Sequence, residues 1–139
     1  MSVWIDRFLL LSLLVIVVIL TITSVSALGG EPLGGNELLA HMMASGVLVV
    51  GLPVFAIAAI RHLPKKDTST TQGIGVLLTI TTGLLSIVTV FLCMLPIAST
   101  DQMHTLIKAH RWAGLSMIPS VAILMLGMTF TRSASRPRS

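Results

Sequence analysis

Four apolar stretches, each about as long as a bilayer is thick, take up most of this chain, and only short polar breaks separate them. A helix that crosses the hydrocarbon core of a membrane needs about 20 mostly apolar residues. The first stretch runs from Phe8 to about Ala27, the second from Leu38 to Ile60, the third from about Gly73 to Pro96 and the fourth from Trp112 to Phe130. Ser99, Thr100 and Asp101 offer N-cap chemistry, and no breaker stands between Gln102 and Arg111, so the fourth helix is expected to begin near residue 101, about two turns before its apolar part. The fold class expected is all-α, an integral membrane four-helix bundle. It forms a single domain over 1–139, with helices at approximately 8–27, 38–60, 73–96 and 101–130.

Composition supports that class. Only 10% of the 139 residues are charged and 54% are hydrophobic, against roughly 25% charged in an ordinary soluble domain. Arg7, the apolar run after it and Val25-Ser26-Ala27 also have the form of a signal peptide with a small-residue cleavage site. The run continues to spanning length, so a retained helix is expected.

The basic residues set the expected orientation, because Lys and Arg close to helix ends stay on the cytoplasmic side. In a four-span arrangement Arg7, Arg61, Lys65, Lys66, Arg132, Arg136 and Arg138 share one side, and only Lys108 and Arg111 fall on the other. The connection from Leu28 to Glu37 has neither Lys nor Arg. Both termini are therefore expected in the cytoplasm, the membrane being a bacterial cytoplasmic (inner) membrane. The basic balance of +4 marks topology on this reading, and no nucleic-acid partner is expected. The partners expected are the lipid bilayer and a larger membrane redox complex or a second copy of the chain.

The third stretch carries Gly75, Thr79, Thr82, Ser86, Thr89, Cys93 and Pro96 at alternating spacings of four and three, which is one stripe of a helix. Small and hydroxyl-bearing side chains on one face let helices approach closely in lipid, so this face is expected to point into the bundle. Tight packing is preferred over a polar substrate path there, and a transporter ranks last among the functions considered. Cys93 has no cysteine to pair with and reads as a small core residue. Pro53 is expected to kink the second helix.

Ionisable groups at membrane depth are costly and mark function when they occur. Asp6, Glu31, Glu37, Asp67 and Asp101 all lie at boundaries or in connections, which argues against a transporter built on a buried carboxylate. The histidines remain. His62 sits beside Arg61 on the cytoplasmic side and is given no role. His41, His104 and His110 fall at the extracytoplasmic ends of the second and fourth helices. Counted back from Arg61 and Arg132, His41 and His110 both lie roughly 30 to 33 Å from the cytoplasmic boundary, at about 1.5 Å per residue. His104 lies about 9 Å further out than His110.

Two imidazoles at one level on helices of a bundle can clamp a haem iron from its two faces. The expected ligands are His41 and His110, with His104 the alternative to His110 and a Met94 or Met103 ligand ranked lower. Lys108 and Arg111 are placed to meet the propionates near the water boundary. The other reading of these histidines is interfacial, with Glu37 four residues before His41 and Asp101 three before His104 as helix neighbours.

With His41-Met42-Met43-Ala44-Ser45-Gly46 and His110-Arg111-Trp112-Ala113-Gly114, the chain resembles membrane-embedded b-type cytochromes, such as the cytochrome b subunits of hydrogenases and formate dehydrogenases and related small haem-binding bundles. The resemblance implies one haem b held by two histidines, and electron exchange with a quinone or a partner redox subunit. Larger members of that group carry two haems, whereas this chain has no second histidine pair on the cytoplasmic side. The function expected is electron transfer between the quinone pool or a partner subunit and the extracytoplasmic side, and the chain is not expected to be an enzyme by itself. The alternative is a structural or assembly subunit of a larger membrane complex without haem.

Overall fold

The computed structural model describes residues 3–25, 29, 34–61, 70–96 and 99–134, with side chains described between Arg7 and Met128 of that set. His62, Lys65, Lys66, Asp67, Glu31 and the Arg136 to Arg138 tail lie outside the described residues. The chain is all α. Four helices follow in order: α1 (Val3–Thr23), α2 (Gly35–Ile60), α3 (Thr70–Met94) and α4 (Thr100–Ala134).

Each helix is bounded for a local reason. α1 starts several residues before its apolar run, since Trp4, Ile5, Asp6 and Arg7 contain no breaker. α2 begins at Gly35, whose φ of 52° is a conformation that glycine adopts without steric cost. α3 ends at Met94, two residues short of the expected Pro96, because proline pushes the residue before it out of the helical region. α4 runs unbroken from Thr100 through the expected start of its apolar part. Its N-terminus is a capping box: the Ser99 N–H donates to Gln102 Oε1 at 2.8 Å and the Gln102 N–H to Ser99 Oγ at 3.4 Å. Pro53 and Pro119 both lie inside helices that continue past them.

α2, α3 and α4 are long and apolar enough to cross a membrane, over Gly35–Ile60, Thr70–Met94 and Thr100–Met128. The apolar part of α1 described here, Arg7–Thr23, is shorter. Large apolar side chains stand outward along these helices, Val50 and Met43 of α2 being 68% and 67% exposed. In water such surfaces would cost about 25 cal/mol per Å²; against lipid they cost nothing. Three candidate spans with outward apolar side chains are the features of an integral membrane protein.

The helices belong to two compact units, residues 1–58 with α1 and most of α2, and residues 59–139 with α3 and α4. In the second unit α3 and α4 pack along their lengths. A Cβ added to Gly75 would lie 2.5 Å from Leu124 Cα, and one added to Gly127 would lie 2.5 Å from the Gln72 backbone nitrogen. Towards the other end, Thr89 of α3 meets His110 of α4. These three pairs keep a constant sum of residue numbers, as an antiparallel pair in one register must. Gly75, Thr79, Ser86 and Thr89 of the expected stripe are buried, and Thr82 and Cys93 are half-buried. Thr82 and Thr89 donate their hydroxyls to carbonyls one turn back, Leu78 at 2.8 Å and Leu85 at 2.8 Å, as hydroxyls in lipid commonly do. The stripe is a close-packing face.

One regularity connects the two units when each is taken by itself. The third, seventh, eleventh, fourteenth and seventeenth residues after His41 are Ala44, Leu48, Leu52, Phe55 and Ala58, all buried. The same steps after His110 reach Ala113, Met117, Val121, Leu124 and Gly127, also buried. On the first helix of each unit, Leu10, Leu13 and Val17 precede Thr23 by the steps at which Val76, Thr79 and Gly83 precede Thr89, and all six are buried. Each histidine thus sits at the head of the buried stripe of its own helix.

Candidate functional site

His110 is half-buried on α4. Its Nδ1 lies 3.0 Å from the Ser86 carbonyl oxygen, 3.2 Å from Thr89 Oγ1 and 3.5 Å from Ser86 Oγ. A carbonyl oxygen only accepts, so the ring donates from Nδ1–H and its basic nitrogen is Nε2. Among the described residues Nε2 makes no hydrogen bond. The Ser86 carbonyl is within reach because α3 and α4 come close along the small-residue face.

His41 is also half-buried, near the start of α2. Its Nδ1 lies 3.0 Å from Thr23 Oγ1 and 3.4 Å from Ser24 Oγ, at the end of α1. Each hydroxyl also has a carbonyl within reach on its own helix, Thr23 that of Ile19 at 2.8 Å and Ser24 that of Leu20 at 2.7 Å. The two histidines are therefore held by the same device: hydroxyl groups on the preceding helix of the same unit engage Nδ1.

His104, the alternative ligand, is exposed on the first turns of α4, where helix continuity places it about 9 Å from the level of His110. Lys108 and Arg111 are exposed and flank His110 in sequence on the same helix. Cys93 is a free, half-buried thiol. Among the described residues no three of His, Cys, Asp and Glu gather where they could hold a metal ion. A compact zinc-type cluster is thereby excluded there, whereas haem, whose macrocycle supplies four ligands, asks only one or two side chains of the protein.

Ring orientation is the fit test for haem. An iron-bound histidine coordinates through one ring nitrogen and donates the other N–H to a carbonyl or other acceptor, which fixes tautomer and ring plane. His110 meets that requirement with a backbone carbonyl; at His41 the partners of Nδ1 are hydroxyls, which can accept from the ring or donate to it. Ser86 and Thr89 are readable from the sequence as packing residues, and Thr23 and Ser24 only as the end of a helix. The signal that links them to the histidines is register: hydroxyls on one face near the C-terminal end of the helix that precedes each histidine-bearing helix. Comparison with known protein families, with curated proteins and with solved structures finds no match to this chain.

Proposed function

We propose that the chain is a b-type haem subunit of a membrane electron-transfer system, with His41 and His110 as axial ligands. The observation that carries this reading is the Nδ1 contact of His110 with the Ser86 carbonyl at 3.0 Å, which leaves the lone pair on Nε2, the arrangement an iron-ligating histidine needs. The engagement of His41 Nδ1 by Thr23 and Ser24 supports the same role for the second ring. Haem b held in this way supplies one-electron transfer. Lys108 and Arg111 provide positive charge at the level of His110 for the propionates, and apolar helix faces limit water at the ligands, which sets the potential together with the hydrogen bonds. Electrons are exchanged with a quinone or with a partner redox subunit, and the chain acts within a larger membrane complex or as an oligomer. The visible spectrum and haem content of protein purified from haem-replete membranes test the reading. One b-type haem per chain is expected, and haem-free folded protein refutes it.

In the proposed topology all four helices cross a bacterial cytoplasmic membrane, α1 included, with both termini in the cytoplasm. The asymmetry of Lys and Arg supports it. In a Cys93→Ala background, a membrane-impermeant maleimide is expected to label Gly29→Cys in intact cells and Arg61→Cys only after permeabilisation. The reverse pattern would invert the topology.

A further inference from the structure

We infer that the outward face of α4 holds one anionic phospholipid, with its phosphate on Lys108 and its acyl chains on the apolar surface below, in the leaflet where α3 ends and α4 begins. The inference needs α3 and α4 to span the bilayer and is independent of the haem reading. Only the naming of that leaflet as extracytoplasmic rests on the topology proposed above.

Steps of four and three residues from Lys108 reach Trp112, Leu115, Pro119, Ala122 and Leu126, which is one stripe along a helix. Leu115 is half-buried and the others are exposed, Trp112 at 71% and Leu126 at 54%. Lys108 stands two residues before His110, about 200° round a helix of 3.6 residues per turn. It therefore lies on the opposite side of α4 from the ring that meets the Ser86 carbonyl. Of the two cations beside His110 it is the less direct for a propionate, and the surface it heads is an apolar one turned away from α3.

The register of the unit sets the depth of this charge. Residue 75 lies against 124, 72 against 127 and 89 against 110, so Lys108 is level with Phe91. The α3 surface stays apolar beyond that level, Phe91 being 53% exposed and Met94 67%. Met94, three residues on, lies about 4.5 Å further out. Lys108 thus starts below the apolar edge of its own unit, where a cation is costly unless its stem carries the charge up to an anion. In this unit the acid among the described residues is Asp101, seven residues and about 10 Å further out along the helix. A soluble acidic partner meets charges above the edge. A lipid phosphate lies at the edge itself, with its chains against the stripe below, and Trp112 adds the ring type that favours this zone. An anionic headgroup is preferred to a zwitterionic one because it has no cation of its own to oppose the lysine.

Native mass spectrometry tests the site, on the full chain released from mixed micelles that hold equal amounts of phosphatidylglycerol and phosphatidylcholine. One phosphatidylglycerol per chain is expected to survive release, at least three times as often as phosphatidylcholine. Lys108→Gln is expected to abolish that preference. Lys108→Arg keeps it, and so does Arg61→Gln, which removes the same charge elsewhere in the chain. Circular dichroism checks that the variants are folded; glutamine and arginine are both good helix formers. No preference in the parent, or a preference unchanged in Lys108→Gln, overturns the inference. Loss of haem from Lys108→Gln with the lipid preference intact also overturns it and gives the charge to the propionates. Alkaline extraction of the parent from phosphatidylcholine vesicles separates this failure from that of the spanning reading: a chain that stays in the vesicles but shows no preference refutes the lipid site alone, and a chain that is extracted refutes both.

Discussion

His110→Ala and His41→Ala are each expected to lower the haem content of the purified protein at least tenfold, while His104→Ala leaves it unchanged. Two axial imidazoles hold the iron in the proposed site, and alanine offers nothing in place of either. The contrast with His104 matters because all three histidines precede or open apolar stretches and are equivalent by composition. Among the described histidines, His41 and His110 have Nδ1 in contact with hydroxyl groups of another helix, whereas His104 is exposed. The variants are expected to fold. A hydrogen bond of the kind His110 makes contributes about 1 kcal/mol net, and the α3–α4 contact at Gly75 and Gly127 does not involve it. Circular dichroism and a monodisperse elution profile check that the loss is of ligand and not of structure.

Gly75→Ala and Gly127→Ala are expected to destabilise the α3–α4 pair by about 1–3 kcal/mol each, the usual cost of forcing extra carbon into a packed contact. The new methyl at residue 75 would lie 2.5 Å from Leu124 Cα, and that at residue 127 would lie 2.6 Å from Gln72 Cα. Both obstacles are backbone, so no side-chain rotation relieves them and the helices must separate. Separation weakens the dispersion contacts on which helix association in lipid depends. Gly46→Ala is the control. Nothing lies within 4 Å of its added Cβ, and alanine is the better helix former by about 1 kcal/mol. Unfolding in mixed micelles, followed by circular dichroism, is expected to show both interface variants below the parent and Gly46→Ala at or above it.

The helices were readable from apolar run length, and their type from the absence of breakers, because lipid leaves the backbone few alternatives to the helix. The ends were less so. The apolar run extends to Pro96, but the proline ring excludes the preceding residue from helical conformation, and the helix stops at Met94. The start of α4 was legible because the Ser99 to Gln102 capping box is local. The α3 stripe was legible as one face from its spacing, but its partner was not. Gly127 carries no mark in sequence that distinguishes it from Gly114, which has open space around it, and only the register against Gln72 reveals its function. The same is true of Thr23. A threonine at the end of an apolar helix is unremarkable until the next helix brings His41 Nδ1 to 3.0 Å. Depth along a helix can be counted from sequence at about 1.5 Å per residue, which is why His41 and His110 could be singled out. Ring tautomers depend on a neighbouring helix and could not.

The measurement that tests the central claim most directly is a reduced-minus-oxidised visible spectrum of the full chain, purified in mild detergent from a haem-replete host. Sharp b-type bands in an amount corresponding to one haem per chain are the predicted result. A folded, monodisperse preparation with a featureless spectrum would contradict haem ligation by His41 and His110, and would leave the chain as a helical packing subunit whose histidines are held in place for another reason.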